Sequence, residues 1–313
     1  MKSAVVLGGA GFLGSHICDA LIDADYRVVA IDDLSSGNVR NFEHLRKNEN
    51  FTFINQDICL PLEVSHGVDL VFNFASLASP PRYLLNPVGT LRAGSVGVEN
   101  AICLALDKGA RLIHASTSEV YGDPLVHPQR EDYWGNVNPV GERSCYDEAK
   151  RYAEALCVAY SNTKSLDVGI VRIFNTYGPR LDPTDGRALS NLINQALIDA
   201  DLTIYGDGSQ TRSFCFVSDL VRGILALSLV KFRGPINLGN PNEITIGDLA
   251  NLIIKKTKSN SRLVFKDLPS DDPQRRCPDI SLASQVLNWG PLVDLETGID
   301  YLIEWYSSHE IFN

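Results

Sequence analysis

The glycine turn Gly8-Gly9-Ala10-Gly11-Phe12-Leu13-Gly14 constrains this chain more than any other stretch. The apolar run Ala4-Val5-Val6-Leu7 leads into it, and a helix-forming segment from Ser15 to Leu21 follows it. A second apolar run, Arg27-Val28-Val29-Ala30-Ile31, ends at Asp32. Strand, turn, helix and second strand make a βαβ unit shaped for a dinucleotide. Gly8 allows the tight turn, Gly11 lets backbone N–H groups approach a pyrophosphate, and Gly14 lets the helix pack close to the strand. The helix N-terminus, with Phe12 and Leu13 in its first turn, then faces the phosphates. Asp32 stands where a carboxylate accepts hydrogen bonds from an adenosine ribose and repels a 2′-phosphate, which favours NAD over NADP. A glycine-rich turn in an ordinary sheet would leave that terminal acid unexplained.

Strand and helix patterns go on alternating. Residues 50–54 read as a third strand, ending at Asp57 and Ile58, and residues 68–75 as a fourth, ending at Ala75. Residues 110–115 form a fifth, running into Ser116-Thr117-Ser118-Glu119, and residues 168–173 a sixth. Helices are expected over 87–106 and 146–162, with a loop rich in Pro, Gly and Asn over 122–141 between them. The second half is more mixed. It has expected helices over 189–200, from the capping pair Ser218-Asp219 to 229, over 245–256 and over 295–307, and strands over 202–205 and 235–238. The expected fold is α/β, a doubly wound parallel Rossmann sheet with a smaller, interleaved C-terminal substrate domain. Residues 1–173 and 213–240 are assigned to the NAD-binding domain, and 174–212 and 241–313 to the substrate domain. Ligands of such sheets bind at the carboxyl ends of the strands, which is where Asp57, Ile58 and Ala75 fall.

Composition narrows the partners. A net charge of −10 without a long Lys/Arg run argues against nucleic acid and anionic membrane as partners. The seven cysteines are scattered singly, with no CxxC pair, which suits a reducing, cytoplasmic setting and argues against a zinc site. His114, His127 and the other histidines show no metal-ligand spacing and read as structural or solvated, so no metal is expected. No apolar run is long enough to span a bilayer, and the first strand begins close to Met1, which leaves little room for a targeting segment.

The chemistry-bearing stretch is Tyr146-Asp147-Glu148-Ala149-Lys150, which puts Tyr146 and Lys150 one helical turn apart on one face. A cationic Lys150 is expected to lower the phenol's pKa and help it act as a base. The spacing alone also occurs in surface helices. Here it follows a dinucleotide turn and a strand ending in Ser116, Thr117 and Ser118, whose hydroxyls can bridge a sugar hydroxyl to the tyrosine.

Glycine turn, Asp32, the Ser-Thr-Ser strand end and Tyr146/Lys150 together resemble the extended short-chain dehydrogenase/reductases, which include nucleotide-sugar epimerases, dehydratases and decarboxylases. The resemblance covers essentially the whole chain. The stretches 115–124, 131–135, 144–151, 172–176, 208–212 and 271–276 look closely like the UDP-glucuronate decarboxylases, also called UDP-xylose synthases. The chain departs from that pattern at Leu7 (usually threonine), Asn73 (commonly histidine), Leu77 (commonly proline) and Cys277 (commonly arginine).

The resemblance implies NAD as cofactor, bound by Gly8, Gly11, Phe12, Leu13, Gly14, Asp32, Asp57, Ile58 and Ala75 together with Tyr146 and Lys150. It implies a carboxy-lyase that turns UDP-glucuronate into UDP-xylose through a 4-keto intermediate, with NAD regenerated in each turnover. Tyr146, Lys150, Thr117, Ser118, Glu119 and Arg276 would carry the catalysis. The alternative for Arg276 is a surface ion pair with Asp271 or Asp272. Asn175, Arg180 and Arg212 resemble nucleotide-sugar contacts, with forked guanidiniums suited to a diphosphate, Tyr205 resembles part of the base pocket, and Arg276 is placed beside the reacting end of the sugar. Competing readings are an NDP-sugar 4,6-dehydratase, which usually has Asp-Glu where this chain has Ser118-Glu119, a 4-epimerase, and a non-catalytic NAD-binding regulator. The helices around 94–106 and 146–160 resemble the superfamily's four-helix seam, which implies a homodimer.

Overall fold

Alternate residues of the first strand face opposite ways. Within β1 (Ser3–Leu7), Ala4 and Val6 join one apolar cluster, while Val5 and Leu7 join a second on the other side. A strand buried on both faces needs helices on both. The computed structural model, which describes residues 1–267 and 275–308, supplies them.

Six further strands line up parallel with β1: β2 (Arg27–Asp32), β3 (Phe51–Asn55), β4 (Leu70–Asn73), β5 (Arg111–Thr117), β6 (Val168–Ile173) and the strand Pro235–Leu238. The seven-stranded order is 235–238, β6, β5, β4, β1, β2, β3. The order reverses direction between β1 and β4, and such a switch point opens a crevice beyond the carboxyl ends of the strands. Helix α1 (Phe12–Asp23) and the helix Val217–Leu229 cover one face, through Ile17, Leu21, Leu220 and Ile224. The other face is covered by Val98–Lys108 and Ser144–Lys164, through Ile102, Ala105, Ala153 and Cys157.

Three helices and several short strands differ from the sequence reading. The helix expected over 87–106 is preceded by a short helix, α2 (Pro80–Leu85), and runs as α3 (Pro87–Arg92), a π-helical turn Ala93–Gly97, and α4 (Val98–Lys108). Close packing explains the wide turn: a Cβ on Gly94 would lie 2.6 Å from the Ala149 Cβ of α5 (Ser144–Lys164). Ser218 and Asp219 do not cap the next helix. Its N-cap is Phe216, and the Asp219 carboxylate accepts instead from the Leu292 and Val293 N–H groups, each at 2.8 Å, and from Arg222. The helix expected over 189–200 stops at Leu197. Short strands that propensity did not mark also appear. Thr211–Ser213 lies between Glu243–Thr245 and Arg275–Arg276, and Leu263–Lys266 pairs in parallel with Leu202–Tyr205, the strand expected over 202–205.

The first apolar cluster continues from the sheet into the second half of the chain, through Leu192, Ile204, Leu249, Ile253 and Leu302. The smaller layer is thereby held over the carboxyl ends of β1, β4, β5 and β6. Among the described residues no helix is long and apolar enough to cross a membrane.

Candidate active site

A cleft of about 1130 Å³ opens between the sheet's carboxyl edge and the smaller layer. Gly8, Gly11, Phe12, Leu13 and Gly14 line one end, and Thr117, Ser118, Glu119, Tyr146 and Lys150 the middle. Asn175, Arg180, Tyr205, Arg212 and Arg276 line the remainder, so fifteen of the expected site residues share one cavity.

The glycine end is fitted to a dinucleotide. Gly8 has φ +79°, and a Cβ there would sit 2.7 Å from the Ala75 nitrogen. A Cβ on Gly14 would run into the Gly8 carbonyl oxygen. The N-cap Gly11 offers no side chain and the first turn of α1 carries no acid, so its N–H groups and dipole face the cleft. Asp32 is buried at the end of β2. Its carboxylate accepts from the Ala10 N–H (3.0 Å) and the Leu34 N–H (2.8 Å), which leaves lone pairs for a further donor. Asp32, Asp57, Ile58 and Ala75 do not line the cleft itself. Asp57 caps the Cys59 N–H at 2.8 Å, Ile58 belongs to the apolar core, and Ala75 backs the Gly8 turn.

In the middle, α5 brings Tyr146 and Lys150 against the end of β5. The Lys150 ammonium donates to the Ala115 carbonyl at 2.9 Å and lies 5.8 Å from the Tyr146 ring centroid. Burial pushes Lys150 down to about 8. The lowered phenol pKa expected from the sequence is not what the structure shows. Burial first, then the Glu119 charge, push Tyr146 up to about 12, against a hydrogen bond with Thr117 and the charge of Arg187. The Tyr83 ring stacks on Tyr146 with centroids 5.1 Å apart and planes at 8°. The Ser116 hydroxyl faces away from the tyrosine and donates to Glu154 at 2.5 Å, and Glu154 also holds Arg172 in a fork at 2.8 and 2.9 Å. Thr117 shares a hydrogen bond with Tyr146.

Glu119 ties the two halves of the cleft together. Its carboxylate takes Arg276 on one oxygen and Arg143 on the other. Burial acts to raise this carboxyl, but Arg276, Arg143 and Arg212 outweigh it and hold Glu119 below the ordinary carboxylate range. Arg276 is itself only 5% exposed, which rules out the surface-pair alternative; Asp271 and Asp272, its proposed partners there, lie outside the described residues. Arg180 lines the cleft and pairs with Asp19 of α1 at 2.6 Å.

Sequence reasoning missed Arg143, Arg187, Tyr83 and Asp147. Arg143 precedes Tyr146 by about one helical turn, and that spacing could have flagged it. Asp147 follows Tyr146 with its Oδ1 buried and unpartnered, and burial followed by the Glu119 charge pushes it up to about 7. His114 is buried with its Nδ1 3.4 Å from the Asn73 amide, and burial pushes it down to about 3, so it is a neutral packing group.

The model of the NAD dependent epimerase/dehydratase family matches residues 4–239. The chain belongs to this family. As a member of the epimerase/dehydratase family it has NAD as its cofactor, in keeping with the glycine cradle. It is 49% identical over 306 residues to UDP-glucuronic acid decarboxylase 1 of Danio rerio, covering 98% of this chain and 73% of that protein. It is 47% identical over 299 residues to UDP-glucuronic acid decarboxylase 1 of Arabidopsis thaliana, covering 96% and 68%. Among solved structures it resembles the UDP-glucuronic acid 4-epimerase of Bacillus cereus in complex with UDP-glucuronic acid and NAD. That likeness has a TM-score of 0.87 and 29% identity, over 98% of this chain and 99% of the other.

Proposed function

We propose that this chain decarboxylates UDP-glucuronate to UDP-xylose, with NAD regenerated in each turnover. The observation that carries the reading is the buried Arg276 guanidinium, set on Glu119 inside the cleft that holds Tyr146. The similarity to two proteins named UDP-glucuronic acid decarboxylase, over 96% or more of this chain, supports it.

Held over the Gly8–Gly14 turn, NAD would supply reversible hydride acceptance at the sugar. As the phenolate, which Lys150 and the positive charge of oxidised NAD would favour, Tyr146 would take up the C4 hydroxyl proton, with Thr117 hydrogen-bonded to its oxygen. A 4-keto sugar bearing a C5 carboxylate is a β-keto acid, so carbon dioxide leaves as the electron pair delocalises onto the C4 oxygen; protonation at C5 and return of hydride to C4 then give the pentose. The Tyr146 and Thr117 hydroxyls can donate to that oxygen, and donors fixed in a buried site stabilise charge better than water does. Arg276 and Arg143 outnumber Glu119 by one charge, so this end of the cleft suits an anionic sugar better than a neutral one. Arg212, beside Tyr205 and Asn175, supplies a fork for the diphosphate.

Segments 174–212 and 241–313 form the nucleotide-sugar side in this reading, and 1–173 with 213–240 the NAD side. The working form is a cytoplasmic homodimer. Its support is the exposed apolar set Leu85, Val88, Leu91 and Val96, lying near the exposed Tyr152 and Val158 of α5. Seven free cysteines suit a reducing compartment.

The test is product analysis. Incubated with NAD and UDP-glucuronate, the protein should release carbon dioxide and form UDP-xylose, identified by NMR. Inversion at C4 with the carboxylate kept would put the 4-epimerase reading in its place.

A further inference from the structure

About one strand beyond the cleft, three chemically different donors converge from three distant parts of the sequence. His127, Glu243 and Cys277 place an imidazole nitrogen, a carboxylate oxygen and a thiol sulfur within 4.8 Å of one another. We propose that these three residues form a binding site for a borderline divalent cation, zinc by its donor set, which fastens the segment carrying Arg276 to the loop over 122–141.

The donor set fits the ion. Imidazole, thiolate and carboxylate are the usual zinc ligands, at about 2.0 to 2.3 Å from the metal. In a tetrahedron those bond lengths put ligand atoms about 3.5 Å apart. The His127 Nε2 and Glu243 Oε2 are 2.9 Å apart, and the sulfur lies within 4.8 Å of both, so adjustments of about an ångström close the shell. One imidazole, one carboxylate and one thiolate carry two negative charges, which match a divalent cation. The Cys277 sulfur gives up its proton to solvent as the metal–sulfur bond forms. The remaining position falls to water or to the Pro241 carbonyl, 3.2 Å from the sulfur.

The supports of the three donors are already ordered. Thr211 donates to Glu243 Oε1 at 2.5 Å, which turns Oε2 toward His127, the way an outer hydrogen bond orients a metal-binding carboxylate. Gln129, two residues beyond His127, laces that loop to the Cys277 segment. Its N–H donates to the Cys277 carbonyl at 2.8 Å, and its side-chain oxygen accepts from the Cys277 N–H at 2.9 Å. His127 and Glu243 keep 30% and 26% of their side chains exposed, which gives an ion a way in from solvent, while Cys277 closes the inner side.

The absence of metal-ligand spacing in the sequence is consistent with such a site. The fold assembles it from two loops and a strand, so no local motif announces it. Arg276 immediately precedes Cys277, so a bound ion would pin the guanidinium that holds Glu119.

Cobalt(II) is the probe, because a thiolate ligand gives it an intense near-ultraviolet charge-transfer band. Titration of the full chain under reducing conditions should produce that band at one equivalent of cobalt, and zinc should abolish it by displacement. Cys277→Ser should remove the band, and His127→Gln and Glu243→Gln should each weaken cobalt binding by tenfold or more. A zinc-dependent rise in the thermal midpoint of the unmodified chain, lost in His127→Gln, is the second readout. His127 is on the surface, so that variant is not expected to perturb folding. No charge-transfer band from the unmodified chain overturns the proposal, and so does a band retained in Cys277→Ser.

Discussion

Tyr146 and Asp147 are neighbours in one helical turn, and burial followed by the Glu119 charge raises both. Tyr146 holds its proton up to about pH 12 in the free protein, so its use as a base depends on cations brought near it rather than on Lys150 alone. Tyr146→Phe keeps the ring and its stack on Tyr83 while deleting the hydroxyl, and should cut kcat by about a hundredfold or more. Carbon dioxide release gives the rate, and UDP affinity should stay within a few-fold; near-normal turnover would assign the C4 proton to another group. Asp147 is raised for the same reasons, its carboxyl being buried beside Glu119. Folded, it keeps its proton to about pH 7; unfolded, it loses it near the ordinary 3.8. The folded state therefore binds more protons across that window, and this group's contribution to stability falls as pH rises from about 4 to about 7. Asp147→Asn removes the titration. Its thermal midpoint should match that of the unmodified chain near pH 4 and exceed it by about 2 °C or more at pH 8, where a shift of that size corresponds to roughly 1 kcal/mol. A constant difference between the two proteins across pH would assign the strain to another group.

At the scale of elements, Gly94 sets how closely the π-helical turn approaches α5, the helix that carries Tyr146 and Lys150. A methyl group there would meet the Ala149 Cβ at 2.6 Å and the Ala149 backbone at 3.2 Å, and neither can move without shifting α5. Gly94→Ala should lower stability by about 1 to 3 kcal/mol, the usual range for overpacking, and should lower kcat as well, because Lys150 follows Ala149 directly. Denaturant melts and turnover measured on one preparation check both; an unchanged midpoint would mean the two helices separate freely. This contact also marks where the sequence stopped being readable. The strands were legible because runs such as Val168–Ile173 are apolar and β-branched, and the glycine turn because each glycine has a steric task. Tyr146 and Lys150 were legible because one helical turn fixes their spacing. The π-helical turn was not, since it answers to a residue on another helix. Asp219 was misread for the same reason: a capping residue and a carboxylate that bonds a distant loop look alike until Leu292 and Val293 are in place. Ser116 likewise looked like a companion of Thr117 because nothing local points it to Glu154.

Across the whole molecule, the ion pair between Glu119 and Arg276 joins residues from the two layers that bound the cleft, and chain distance hid it. Arg275 and Arg276 are adjacent in one short strand paired with Thr211–Ser213, yet the strand's alternation buries Arg276 and exposes Arg275. That alternation makes a built-in control. Arg276→Ala leaves Glu119 with Arg143, removes the extra positive charge from the sugar end, and should lower kcat on UDP-glucuronate by about a hundredfold or more, the cost of losing a charged partner in a closed site. UDP affinity should change little, because the diphosphate is assigned to Arg212 rather than to Arg276. Arg275→Ala changes the same strand without touching the cleft and should keep near-normal turnover, while thermal melts of both variants separate lost chemistry from lost folding. Comparing UDP-glucose with UDP-glucuronate adds the substrate's carboxylate to the cycle. If Arg276 serves that carboxylate, the variant loses its preference for the acid sugar; if Arg276 only braces Glu119, both substrates suffer alike. Full activity of a folded Arg276→Ala on UDP-glucuronate would remove the arginine from the mechanism, and with it the main structural reason for preferring decarboxylation to epimerisation.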